Sequence, residues 1–270
     1  MRVPGRAVPG QGRGGFGGMW QAARVRMRDG WEAEAGNWAA FARTPGYDST
    51  HDYINLPALR ALLPEPGNRT LDLACGEGRI SRFLLSLGHR VAGADASPSM
   101  VRLAVGHQDT APAVLADATA LPFRDAAFDL VVAYMCLHDM DLMPQAVAEA
   151  ARVLEPGGRL CASIPHPVSS AGAFRGREGD APFLIEGSYL DTAPADSVVD
   201  RGGTTLTFHS EHRPIEAYSR ALEAAGLLIE AIREPRAPDA LLTDAPDKRR
   251  WQRIPLSLHL RAVKPGGARP

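Results

Sequence analysis

Residues 70–79 read TLDLACGEGR, an apolar run of strand length that opens at once into the glycine pair Gly76 and Gly78. Beyond it Ile80, Phe83, Leu84 and Leu87 return at three- and four-residue intervals up to Gly88, the pattern of a helix with one apolar face stopped by glycine. A strand turning through glycine straight into a helix is one βα unit. The missing side chains permit a tight turn and let a ligand approach the backbone amides. Ser81 stands where the third glycine of a dinucleotide fingerprint would fall, so G-x-G-x-x-G is incomplete. The chain also lacks a Walker sequence and a nucleophile-elbow serine, which disfavours phosphoryl transfer and ester hydrolysis.

Toward the C-terminus the unit repeats. Arg90 to Ala94 reads as a strand, and Ser97-Pro98 as a helix start, because serine caps and proline fits the first helical position. Val114 to Ala116 and Phe128 to Tyr134 are further strands; a helix from Pro144 to Leu154 leads through a Pro-Gly-Gly turn to a fifth, Arg159 to Ile164. This alternation predicts an α/β fold, a doubly wound, mainly parallel sheet with helices on both faces and a crevice beyond the C-terminal strand ends. Two carboxylates fall at such ends. Asp95 can accept hydrogen bonds from the two hydroxyls of a ribose, and Asp117, with Leu121-Pro-Phe123 close behind, can meet an adenine amino group beside an apolar wall.

Working outward, residues 1–18 are rich in Gly, Pro and Arg with little apolar material and read as a disordered tail. Residues 19–66 form a helical region. Trp31, Ala35, Trp38 and Phe41 lie on one helical face before Pro45-Gly46, and a second helix runs from Asp52 or Ile54 to Leu63. The main domain spans 67–264, with 165–208 as an insertion of weak apolar periodicity after the fifth strand. Thr205 to His209 is strand-like, Ile215 to Ala225 a helix, and Leu227 to Arg233 and Pro255 to Val263 two last strands. The polar stretch from Glu234 to Arg253 reads as a surface hairpin loop, and 265–270 as a tail.

The chain has 270 residues, enough for one substantial core, and 30 Lys+Arg against 31 Asp+Glu, a net charge of −1. No global positive field steers it to nucleic acid or an acidic membrane, although local basic patches are compatible with that balance. No window approaches the roughly 18 apolar residues of a membrane span. Cys75, Cys136 and Cys161 are too scattered for a disulfide framework or a sulfur metal site, which fits a cytoplasmic protein without a metal.

Taken together, LDLACGEGR, VAGADASPSM, ADATALPF, FDLVVAYMCLHDM and ARVLEPGGRL occur in order with compatible gaps. In this the sequence resembles the class I S-adenosylmethionine-dependent methyltransferases, particularly the small-molecule branch with the ubiquinone and menaquinone methyltransferases. The resemblance covers residues 68–165 and, more loosely, 205–263. It implies a Rossmann-like, seven-stranded sheet whose antiparallel final strand is inserted beside a parallel edge, with a helical N-terminal lid. It implies S-adenosylmethionine as cofactor and S-adenosylhomocysteine as product. Asp72, Ala74, Gly76 and Gly78 would shape the methionine end, Asp95 with Ala96 would bind ribose, and Asp117 with Ala118 would fix adenine between Met100 and Leu121. The Tyr134-Met135 backbone would lie near the sulfonium, and Trp38, Tyr47 and Tyr53 would close the pocket.

The implied reaction is methyl transfer to a small-molecule acceptor, with oxygen favoured because histidines are available as bases. His138, His166 and His212 are the candidates, each near a strand end or the edge of the insertion. Peptide or protein methylation and a non-catalytic cofactor-binding partner are the alternatives. Nucleic acid and membrane are not expected partners, and the chain would act as a monomer or homodimer.

Overall fold

The computed structural model describes residues 27–185 and 187–266; the expected tail 1–18, residues 19–26 of the helical region and residues 267–270 lie outside them. Helix α1 (Met27–Arg43) is followed by a π-helical turn, His51–Asn55, that runs into α2 (Leu56–Leu62). Then come β1 (Thr70–Leu73), α3 (Arg79–Ser86), β2 (Val91–Asp95), α4 (Pro98–Val105), β3 (Ala113–Leu115), β4 (Phe128–Tyr134), α5 (Met143–Val153) and β5 (Leu154–Pro165). After the short α6 (Pro167–Ser170), six small strands follow: β6 (Gly172–Phe174), β7 (Phe183–Ile185), β8 (Ala193–Pro194), β9 (Ser197–Arg201), β10 (Thr204–Phe208) and β11 (Glu211–His212). The chain closes with α7 (Ile215–Ala224), β12 (Leu228–Arg233), α8 (Asp239–Asp244), a 3-10 helix Pro246–Gln252 and β13 (Ser257–Val263).

The main sheet has seven strands in the order β12-β13-β5-β4-β1-β2-β3. The strands from β5 to β3 pair in parallel; β13 lies antiparallel between β5 and β12, with Leu260 opposite Ala162. This is the doubly wound sheet expected, including its last pair. The order reverses at β1, so the switch point opens over the glycine turn.

Central strands are apolar on both faces because helices cover both. Along β4, Leu130, Val132 and Tyr134 pack with Leu59 and Leu62 of α2 and Ile80 and Leu84 of α3. Val131 and Ala133 point the other way, toward Val147 and Ala150 of α5 and Tyr218 and Leu222 of α7. Most of these side chains are wholly buried, and each buried Leu, Ile or Val contributes roughly 1.5–3 kcal/mol. On α4, Ser97 caps as expected, its Oγ accepting from Met100 N at 3.0 Å. No helix among the described residues is long and apolar enough to cross a membrane.

Off the main sheet, β6 pairs with β7, β8 with β11 and β9 with β10, all antiparallel. Helix α1 rests on this group through Phe208 of β10, whose ring lies 6.0, 6.0 and 6.1 Å from those of Trp31, Trp38 and Phe41. The stretch from Glu234 to Arg253 is a correction: α8 and the 3-10 helix occupy it. Leu241 is the reason, being fully buried with Ala237 and Ile54 in a small separate core. One apolar anchor on a helix this short leaves no periodicity to read.

Candidate active site

The C-terminal strand ends open into one cleft of about 1380 Å³. Its first half is shaped by backbone. At the end of β1, Ala74 and Gly76 both adopt left-handed conformations, φ 55°, and Cys75 N donates to Ala94 O of β2 at 3.0 Å. For Ala74 that conformation costs about 1 kcal/mol and is held by the surrounding sheet. Met135, at the end of β4, is likewise left-handed at φ 49° and is tied by its N–H to Ser163 O at 2.7 Å.

Asp95 ends β2 with its carboxylate braced in place. Gly76 N donates to Oδ2 at 2.8 Å and Ser97 N to Oδ1 at 2.9 Å. Burial nonetheless pushes this carboxyl above its usual range. Asp72 lies deeper, fully buried; Ser81 Oγ donates to it at 2.6 Å, but burial raises it to about 7. Asp117, half exposed at the mouth, accepts from Thr119 N and Oγ1 at 2.9 and 2.7 Å, with Arg28 at 4.0 Å. Ala96, Met100 and Ala118 complete this wall.

Several charged residues here went unread in the sequence. Glu77, between the two glycines, has a fully buried side chain and pairs with Arg43 Nε at 2.7 Å and Arg82 Nη2 at 2.9 Å, joining α1 and α3 to the turn. Arg79 stacks over Trp38 at 4.8 Å and pairs with Asp48 at 2.9 Å; its Nη1 is buried without a hydrogen-bond partner among the described residues. Glu32 of α1 accepts from Ser97 Oγ, and from Ser99 N and Oγ at 3.1 and 2.7 Å, which lowers its carboxyl below the usual value. The only sequence signal for any of these was their place beside a glycine turn or a helix start.

The second half of the cleft begins at the end of β4. His138 is buried and its ring is pushed down to about 3, first by burial and then by the Arg213 charge. Its Nε2 lies 3.1 Å from Asp139 Oδ1 without hydrogen-bond geometry; His138 Nδ1 and Asp139 Oδ1 are both buried and unpartnered among the described residues. Burial pushes the Asp139 carboxyl well above its usual value. Arg213 holds this loop, donating to the carbonyls of Leu137, His138 and Met140 and pairing with Glu211.

The other two histidines are directed elsewhere. His166 Nδ1 accepts from Val168 N at 3.1 Å to cap α6, and its Nε2 meets Glu234 at 2.8 Å. His212 Nε2 donates to Tyr189 O at 2.9 Å, which leaves Nδ1 to accept from Ser170 Oγ at 2.7 Å. Both rings are buried outside the cleft lining with both nitrogens engaged, so neither is placed to take a proton from a ligand. Trp38, Asp72, Ala74, Gly76, Tyr134 and Met135 do line the cleft. Gly78, Leu121, Tyr47 and Tyr53 do not: Leu121 packs in the main core, Tyr47 lies under Arg201, and Tyr53 donates to Asp244 at 2.5 Å. Gly78, φ 89°, begins α3 against Ala104. The Tyr134 hydroxyl is 2.7 Å from His51 Nδ1, and burial lowers that ring to about 4. Cys136, also in the lining, has its thiol pushed up by burial, which removes it as a nucleophile.

A family model described as a methyltransferase domain matches residues 71–162. A demethylmenaquinone methyltransferase of Renibacterium salmoninarum is 34% identical over 140 residues, 48% of this chain and 58% of that protein. A malonyl-[acyl-carrier protein] O-methyltransferase of Pseudescherichia vulneris is 30% identical over 167 residues, 58% of this chain and 66% of that one. The chain thus spans between half and two thirds of the length of these curated relatives. Among solved structures, an S-adenosylmethionine dependent methyltransferase from Mesorhizobium loti superposes with a TM-score of 0.64 at 28% identity, covering 77% of this chain and 96% of that one. The matched segment contains the glycine turn, both strand-end aspartates and the β4 loop, and the sheet around it has the strand order described above: residues 71–162 carry a methyltransferase domain, and the chain around them is similar in fold to S-adenosylmethionine-dependent methyltransferases.

Proposed function

We propose that the protein transfers a methyl group from S-adenosylmethionine to an oxygen of a small-molecule acceptor bound in the same cleft. The observation that carries this reading is the cleft's size and division. Its 1380 Å³ exceeds the roughly 300–1,000 Å³ of a single-ligand pocket. One half presents braced carboxylates and a glycine turn, the other an unpartnered His–Asp pair.

The residues of the first half fit the cofactor. Asp95 keeps lone pairs for two ribose hydroxyls, and Asp117 with Ala118 and Met100 suits adenine. The orphaned Arg79 Nη1 answers a carboxylate, and the desolvated Asp72 carboxyl answers an ammonium group, so one end of an amino acid meets an unused donor and the other a carboxyl that a cation would ionise. S-adenosylmethionine, when bound, supplies an electrophilic methyl carbon on a sulfonium that becomes a neutral thioether.

Alignment, exclusion of water and removal of a proton fall to the chain itself. Trp31, Trp38 and Phe208 roof the cleft between α1 and the inserted strands, so residues 27–66 act as a lid and 165–208 contribute the acceptor pocket. Burial leaves His138 a neutral ring and raises the proton affinity of the Asp139 carboxylate beside it, so within the pair the ionised Asp139 takes up the single proton that an acceptor hydroxyl loses. A second reading, an acceptor presented on a protein, is favoured by the carrier-protein substrate in the name of the Pseudescherichia relative.

The test is incubation of the protein with methyl-labelled S-adenosylmethionine and size-fractionated extract, followed by identification of the labelled atom. A low-molecular-weight product labelled on oxygen is expected. Label confined to macromolecules would establish the second reading instead, and cofactor binding without label in any fraction would leave a binding protein.

A further inference from the structure

Part of the cleft wall comes from two segments distant in sequence, the β6 strand and the 3-10 helix Pro246–Gln252. Phe174 and Trp251 meet edge to face there, centroids 4.9 Å apart and planes at 88°, and both line the cleft. Above Phe174, at 5.7 Å, lies the guanidinium of Arg250, another lining residue. Its side chain is only 16% exposed.

The hydrogen bonds of Arg250 are one-sided. Nη1 donates to Asp247 O at 2.6 Å and Arg177 O at 3.4 Å, and it is also the atom that faces Asp247 Oδ2 at 3.7 Å. Nε and Nη2 have no such partner among the described residues, and neither is a sealed buried atom. Asp247 is 43% exposed and beyond hydrogen-bonding distance, so it neutralises this cation weakly. The Nε–Nη2 edge is therefore a planar, two-donor fork held in place from behind and presented beside an aromatic floor. Such a fork matches a carboxylate in bidentate fashion, and a guanidinium shielded from water binds it more strongly than an exposed one. Around it, PDKRRWQR (246–253) carries Lys248, Arg249, Arg250 and Arg253 against Asp247 alone, a local basic patch on a chain of net charge −1. Of the acids that line the cleft, Glu211 is paired with Arg213, Asp139 sits beside His138, and Asp48 is paired with Arg79.

We propose that the methyl acceptor is a flat, unsaturated or aromatic carboxylic acid whose carboxylate is held by Arg250 Nε and Nη2 and whose ring packs on Phe174 and Trp251. This rests on the methyl-transfer reading and deepens it. In that arrangement the carboxylate is the anchored end of the acceptor, and the hydroxyl that receives the methyl group faces His138 and Asp139.

The test separates the two claims. Small-molecule extract is passed over an anion exchanger at pH 7 after treatment with alkaline phosphatase, and every fraction is assayed with the full-length protein and methyl-labelled S-adenosylmethionine. Acceptor activity that is retained, elutes with salt and survives phosphatase is expected. Acceptor activity in the flow-through, or abolished by phosphatase, would overturn a carboxylate acceptor while leaving methyl transfer intact; no labelling in any fraction would overturn both. With the retained fraction, Arg250→Gln should raise the acceptor KM about tenfold with the cofactor KM unmoved, and Arg250→Lys should recover only part of the loss. Equal KM values for the acceptor in wild type and Arg250→Gln, with thermal unfolding showing both folded, would remove Arg250 from recognition.

Discussion

Along the ends of β1, β2 and β3 the cleft is shaped by backbone that local sequence dictates, with Asp95 braced by two amides and Gly76 at the turn. Elsewhere in its lining, Phe174 meets Trp251, a contact between residues with no regular spacing in the chain. The first half is a rigid consequence of strand, turn and helix following one another. The second is assembled from small hairpins and short helices that depend on their neighbours for burial. Such a division lets one half vary while the other is kept, because loops can change without disturbing the sheet.

If the division is real, damage to the first half should abolish cofactor binding, and damage to the second should spare it. Asp95→Ala carries the largest expected effect, about 4 kcal/mol or close to 1,000-fold in cofactor Kd by titration calorimetry, from loss of two charge-assisted hydrogen bonds. A Kd within threefold of wild type would remove the ribose assignment. Glu77→Gln breaks a buried charge shared by Arg43 and Arg82 and should cost about 3 kcal/mol in denaturant unfolding, leaving two cations without their anion. Unchanged stability would mean that α1 is not fastened to the glycine turn through this charge.

On the other side, His138→Ala and Asp139→Asn should each lower turnover roughly 100-fold while cofactor Kd stays within twofold. Loss of cofactor affinity in either variant would erase the boundary between the halves. The smallest effect concerns Asp72. Its folded-state carboxyl titrates near 7, above the unfolded value of 3.8, so the native state holds this proton longer and stability falls as pH rises from about 4 to 7. Asp72→Asn still accepts from Ser81 but cannot ionise. Its gain over wild type in ligand-free unfolding should grow by about 1 kcal/mol per pH unit from pH 5 to 7 and level off above. A gain independent of pH would show that Asp72 is not held protonated by burial.

The legible part of the site follows the same line. Asp95 and Asp117 stand at strand ends, and a strand end is visible as the point where an apolar run meets glycine or acid. His166 and His212 also stand near such ends, yet one caps a helix and the other bridges Ser170 to Tyr189. Position along the chain could not separate them from His138, because what a histidine does depends on which groups surround it. Tyr47 and Tyr53 fail for the same reason: they are in the right region but turned toward Arg201 and Asp244.

The sequence by itself determined the alternation of strand and helix, the mainly parallel sheet that follows from it, the glycine turn and the carboxylates along it. Hydrophobic periodicity and turn chemistry act between near neighbours, and a parallel sheet is built by repeating one local unit. Tertiary structure alone decided which histidine reaches the cleft, that Glu77 ties α1 and α3 to the turn, and that Arg250, Phe174 and Trp251 form one wall. Those are matters of burial and of charge placed across long separations, and no local pattern encodes them.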